Sequence, residues 1–135
     1  MSISNDGGAT WSPVRHDAAL IEPVCQASIR RLRWPEGDEP GVILFSNPAS
    51  TNKRVNLTVH ASYDDGKTWP ASRTLYAGPS AYSCLVAMPD GQIGCFYEAD
   101  GYKRLEFATF DLSWLADHST DEPQSQQPYP RGRGE

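Results

Sequence analysis

The chain has 135 residues and carries 12 Lys+Arg against 17 Asp+Glu, a net charge of −5. That balance excludes a nucleic-acid surface built on basic excess, and no apolar run approaches the ~18 residues of a helical membrane span. Apolar residues at 39%, with 11 Gly, 11 Pro and 4 Trp, describe a loop-rich globular β protein rather than a helical bundle.

The first element in chain order is a turn, Ser4-Asn5-Asp6-Gly7-Gly8-Ala9-Thr10-Trp11. The residues before it offer no basic n-region and no apolar h-region, so no signal peptide is read. Short alternating or β-branched runs follow, bounded by Gly, Pro and Asp. They predict strands at about 27–34, 41–46, 55–62, 82–88, 93–98 and 105–110. Pro35-Glu36-Gly37-Asp38 separates the first two. Asp90-Gly91 predicts a two-residue hairpin between the fourth and fifth, and Asp100-Gly101 precedes the last. The reading is an all-β antiparallel meander over residues 1–116. From Asp117 to Glu135 the chain has no aliphatic side chain beyond the ring of proline. Such a segment cannot offset its own ordering entropy, and we read 117–135 as a disordered polar tail.

Cys25, Cys84 and Cys95 cannot all pair within one chain, and each has apolar neighbours, so they read as small core residues. No Cys/His grouping has metal-ligand spacing, so no metal is assigned. His16, His60 and His118 lack a carboxylate or serine partner at a recognisable spacing and receive no catalytic role. Arg30, Arg31 and Arg33 alternate along one strand and read as its polar face.

An internal repeat organises the chain. Ser62-Tyr63-Asp64-Asp65-Gly66-Lys67-Thr68-Trp69 repeats the first octet as S-x-D-x-G-x-T-W. The pattern makes sense as a turn. Asp6 and Asp64 accept hydrogen bonds from their own turn's backbone. Gly8 and Gly66 take positive φ. The hydroxyls of Ser4, Thr10, Ser62 and Thr68 tie the turn's ends, and Trp11 and Trp69 bury a ring beneath it. With their carboxylates so occupied, both copies read as structural.

The octet resembles the Asp-box, or BNR repeat, of sialidases and related β-propellers. Around it, Arg54-Val55-Asn56-Leu57-Thr58-Val59, Gly78-Pro79-Ser80-Ala81-Tyr82-Ser83-Cys84-Leu85, Asp90 to Glu98 and Phe107 to Leu115 follow in an order similar to the C-terminal third of exo-α-sialidases. Leu20 to Ser28 fits the same pattern, so the resemblance covers roughly residues 3–115. It implies part of a six-bladed β-propeller with antiparallel four-stranded blades, of which this chain supplies about two. The implied activity is retaining release of terminal sialic acid from sialylated glycoconjugates, without a cofactor.

The resemblance places a nucleophile at Tyr82. Most retaining glycosidases use a carboxylate, and sialidases are the tyrosine exception. Sialic acid carries its own carboxylate on the anomeric carbon. A second one ~4 Å away meets repulsion of roughly 4 kcal/mol at an effective dielectric near 20, which a neutral phenol avoids. Arg54 matches the third of three arginines that bind the substrate carboxylate, for which a guanidinium fork is suited. Glu98 matches a glutamate that orients the first of those arginines. Glu22 lies after an Asp-box rather than before one, unlike the family's base, and reads as structural. Tyr63, Tyr76, Tyr97, Tyr102 and Tyr129 read as ordinary tyrosines with the ring in the core and the hydroxyl bonded.

Four family elements have no counterpart here: two arginines, the aspartate general acid/base and the glutamate that deprotonates the tyrosine. The resemblance assigns them to N-terminal blades that complete the site, and implies that this segment is inactive by itself. The alternative is a non-catalytic Asp-box module or pseudo-enzyme remnant with a carbohydrate-binding or interaction role, because Asp-boxes specify fold better than function.

Overall fold

The computed structural model describes residues 1–116; the expectation for 117–135 lies outside the described residues. Six strands, β1 (Ser28–Arg33), β2 (Val42–Pro48), β3 (Val55–Ser62), β4 (Ala71–Ala87), β5 (Ile93–Ala99) and β6 (Arg104–Phe110), precede one short helix, α1 (Leu112–Ala116). They pair antiparallel in the order β1-β2-β3-β4-β5-β6. The all-β meander is thus what the alternation and turn chemistry predict, and its register puts alternate residues of β2 and β5 in one core. Leu44 stands opposite Arg30 on one side and Ala61 on the other.

The largest departure from the sequence reading is β4, which begins at Ala71 rather than near residue 82. Gly78-Pro79 lies inside the strand and marks a hand-over. Residues up to Pro79 pair with β3, and those from Ser80 onward pair with β5. Pro cannot donate to a ladder, so it is tolerated where the pairing changes partner. One long strand therefore ends a complete four-stranded sheet and begins a three-stranded one.

The two sheets close on each other through β1 and the second half of β4. The Leu85 N–H donates to Ser28 Oγ (2.9 Å). Gln26 exchanges two bonds with the Ser83 backbone, each 3.3 Å. The buried Ser46 and Ser83 hydroxyls lie 2.8 Å apart. Val42, Leu44, Leu57, Val59, Leu85, Ile93, Cys95 and Tyr97 fill the core, where apolar burial contributes about 25 cal/mol per Å². Outside it, Val86, Phe96, Leu105 and Phe107 leave the outward face of the second sheet apolar and exposed.

Smaller corrections have local causes. The β4–β5 connection is not a two-residue hairpin. Met88 N–H donates to Gln92 O (2.9 Å) and Gly91 N–H to Met88 O (3.1 Å), with Gly91 at φ 81°. This is a three-residue loop, favoured because Pro89 has no N–H with which to pair Gln92 across a two-residue Asp90-Gly91 turn. α1 was not read, because five residues show no periodicity. Asp111 caps it, accepting the Trp114 N–H at 2.9 Å. Cys95 is buried, its thiol pushed up to about 12 by burial, but Cys84 is exposed on the outward face and Cys25 half-buried. Alternation along β4 sends Cys84 to the side opposite Leu85.

The two octets have closely matching internal geometry. In each, the Asp carboxylate accepts the Thr N–H at 2.9 Å and the Thr hydroxyl at 2.6 Å. The Ser hydroxyl donates to the same carboxylate at 2.7 Å in the first and 2.8 Å in the second. These donors pull both Asp6 and Asp64 down to about 2, the Thr hydroxyl most strongly. The indoles differ. Trp69 is 9% exposed against Phe45, whereas Trp11 is 64% exposed. The second octet joins β3 to β4 over the core; among the described residues the first has no sheet beneath it, so its ring is left uncovered.

Candidate functional site

Arg54, Tyr82 and Glu98 meet at the end of the sheets opposite the second octet. Arg54 closes the β2–β3 connection, one residue before β3. Its backbone carbonyl accepts the Ser80 N–H at 2.8 Å, which ties it to the point where β4 changes partner. Its guanidinium carbon stands 5.6 Å from the centre of the Tyr82 ring, within the range at which a cation is attracted to an aromatic face.

Tyr82 points outward because β4 bulges there. The register runs from Ser80↔Ala99 to Ser83↔Tyr97, so Ala81 and Tyr82 together face Glu98. A bulge leaves an N–H without a ladder partner and re-aims the side chain beside it. Glu98 supplies the acceptor: its Oε2 takes the Tyr82 N–H at 3.2 Å. Ala81 is buried and Tyr82 is 48% exposed, so the phenol is presented rather than packed.

Two further residues belong to the site, and neither was assigned to it from sequence. Tyr102, read as a core tyrosine, is 61% exposed. It accepts a hydrogen bond from Arg54 Nη1 at 2.8 Å. Arg54 Nη2 donates to the Val24 carbonyl at 3.1 Å. The Tyr102 bond, first among several influences, holds the guanidinium still further toward its charged form. A hairpin turn after Asp100-Gly101 was legible, but which strand end that turn would face was not. Glu22 accepts the Cys25 N–H at 2.7 Å and so closes the turn that carries Val24. Tyr97, in contrast, does have its ring in the core, and its hydroxyl donates to Glu106 at 2.8 Å. Tyr129 lies outside the described residues. Among the described residues no group of three His, Cys, Asp or Glu could hold a metal ion.

Six antiparallel strands in sequential order, with an Asp-box turn between β3 and β4, place the chain in the class of Asp-box β-propellers. The chain belongs to the BNR repeat-like domain family, whose model matches residues 1–95, and its relatives are sialidases. It is 41% identical over 118 residues to a sialidase of Micromonospora viridifaciens, covering 85% of this chain and 18% of that protein. It is 33% identical over 106 residues to a sialidase of Bacteroides fragilis, covering 73% and 19% respectively. Among solved structures it superposes on the Hadza microbial sialidase Hz136 with a TM-score of 0.73 at 35% identity, over 84% of this chain and 23% of that one. It also superposes on a leech intramolecular trans-sialidase complexed with 2,7-anhydro-Neu5Ac, with a TM-score of 0.70 at 29% identity, over 84% and 20%. The chain therefore spans about a fifth of the length of the relatives it matches.

Proposed function

We propose that this chain forms the nucleophile-bearing part of an exo-α-sialidase that releases terminal sialic acid from glycoproteins, gangliosides or oligosaccharides with retention. The observation that carries the reading is the Arg54 guanidinium placed 5.6 Å from the Tyr82 ring, with Glu98 fixing the Tyr82 backbone from behind. A ligand carboxylate on Arg54 brings the adjacent anomeric carbon toward the Tyr82 oxygen. Attack there forms a bond from the phenolic oxygen to the anomeric carbon and breaks the bond to the leaving oxygen. The phenol's proton passes to a glutamate and the leaving oxygen takes one from an aspartic acid. Neither partner has been assigned within this chain, and we place both, with two further arginines, on blades that complete the site. Catalytic groups that act as a unit fail as a unit, so the 135-residue chain by itself is expected to be inactive.

The test is release of the leaving group from a fluorogenic sialoside. The isolated chain should release none, and the protein extended by its upstream coding sequence should turn over. In the extended protein, Tyr82→Phe should abolish turnover and leave the circular dichroism spectrum unchanged. Near-normal turnover by that variant refutes the nucleophile assignment. An extended wild-type protein that folds but never turns over favours the non-catalytic Asp-box module instead.

A further inference from the structure

We propose that Tyr102 is a positioning residue for Arg54, holding the guanidinium, together with the Val24 carbonyl, in the one orientation that receives a ligand carboxylate. The inference rests on reading Arg54 as a carboxylate receptor and goes beyond it in saying what keeps that receptor ready.

The partners of Arg54 differ from those of the three arginines that form ion pairs. Arg31 pairs with Asp65, Arg33 with Glu39 and Arg104 with Glu106, each within 3.1 Å. No carboxylate among the described residues ion-pairs with Arg54; its partners are two neutral oxygens, at 2.8 and 3.1 Å. Neutral acceptors fix a guanidinium without cancelling its charge. Each terminal nitrogen is held once, which pins the plane of the group. Of about five N–H donors on an arginine side chain, three then remain for a ligand.

The two acceptors come from separate loops, and both loops are bent unusually to deliver them. Val24 has φ 57° and Tyr102 φ 70°, and Asp100 and Gly101 before it are also left-handed. A β-branched residue and an aromatic one seldom adopt that region. Such backbone persists where the surrounding structure enforces it, and it clusters at ligand sites. Glu22 enforces the first turn through the Cys25 N–H, and the Ala99↔Arg104 pair closes the second. Arg54 and Tyr102 line one cleft with Pro79, Ser80, Ala81 and Gly101. The buried Ser80 hydroxyl in that cleft has no hydrogen-bond partner among the described residues.

The experiment follows the side-chain nitrogens of Arg54 by NMR in the 135-residue chain, assigned with Arg54→Lys, while free N-acetylneuraminic acid is added. The wild-type chain should show resolved, slowly rotating Nη signals that move with the sugar acid. Tyr102→Phe deletes a single atom from an exposed ring, and its amide spectrum reports that the fold is kept. In that variant the Nη signals should average, and the sugar acid should bind about two- to tenfold more weakly, the worth of one hydrogen bond. Resolved signals or unchanged affinity in Tyr102→Phe overturn the positioning role alone. Resolved wild-type signals that do not move with the sugar acid overturn the carboxylate-receptor reading, and the proposal with it.

Discussion

Glu98 accepts the backbone N–H of Tyr82 at 3.2 Å, within the bulge that interrupts the β4–β5 ladder. A side chain of β5 thereby stands in for a strand partner, and the exposed phenol is the consequence. Glu98→Ala leaves that N–H without its acceptor and is expected to cost about 1 kcal/mol, the range of a partly exposed hydrogen bond to a charged group. Glu98→Gln keeps an acceptor and should cost less. Urea midpoints of the two variants check the ranking; equal losses would mean that the charge matters and the bulge contact does not.

The buried His60 makes stability depend on pH. Desolvation pushes its folded-state value down from 6.5 to about 4. The unfolded chain therefore takes up the proton first as pH falls. Stability is complete above pH 6.5 and declines down to pH 4, by about 3 kcal/mol in total. His60→Phe removes the titrating group beside Phe45, and the urea midpoint should then be nearly flat over that interval. A wild-type slope that survives the substitution assigns the effect elsewhere.

A second pH window belongs to the octets. Asp6 and Asp64 are held at about 2 against an ordinary 3.8. Their contribution is present above 3.8 and is lost as pH falls through 2. Among the described residues only the second octet closes a hairpin of the sheet, between β3 and β4. Asp64→Ala should thus lower the urea midpoint clearly, while Asp6→Ala leaves it close to wild type. Equal shifts would show that the first octet is coupled to the core.

The outward face of the second sheet carries Val86, Phe96, Leu105 and Phe107, all exposed. Among the described residues β6 also has no strand partner on its outer side, which leaves unpaired backbone groups at an edge. The purified chain should self-associate as concentration rises, and Phe107→Lys should shift sedimentation toward monomer. Concentration-independent sedimentation of the wild type would refute this.

Much of this molecule is written locally. Short alternating or β-branched runs at 41–46, 55–62 and 93–98 predict β2, β3 and β5, because side chains alternate across a strand. Both S-x-D-x-G-x-T-W octets are legible because their hydrogen bonds run between residues no more than a few positions apart. The order of motifs also singles out Arg54, Tyr82 and Glu98. The start of β4 was hidden, because a strand that changes partner at Gly78-Pro79 is defined only by the strands on either side of it. The bulge at Tyr82 was hidden too, because an extra residue is defined only against the strand it faces. Tyr102 and Val24 reach Arg54 from loops far from it in sequence, and Trp11 differs from Trp69 only in what lies beneath. The sequence alone determined both octet turns, the order of the strands and the kinds of side chain available, since those depend on neighbours along the chain. Tertiary structure decided which side chains converge and which rings find cover, because register and sheet closure bring distant residues within hydrogen-bonding reach.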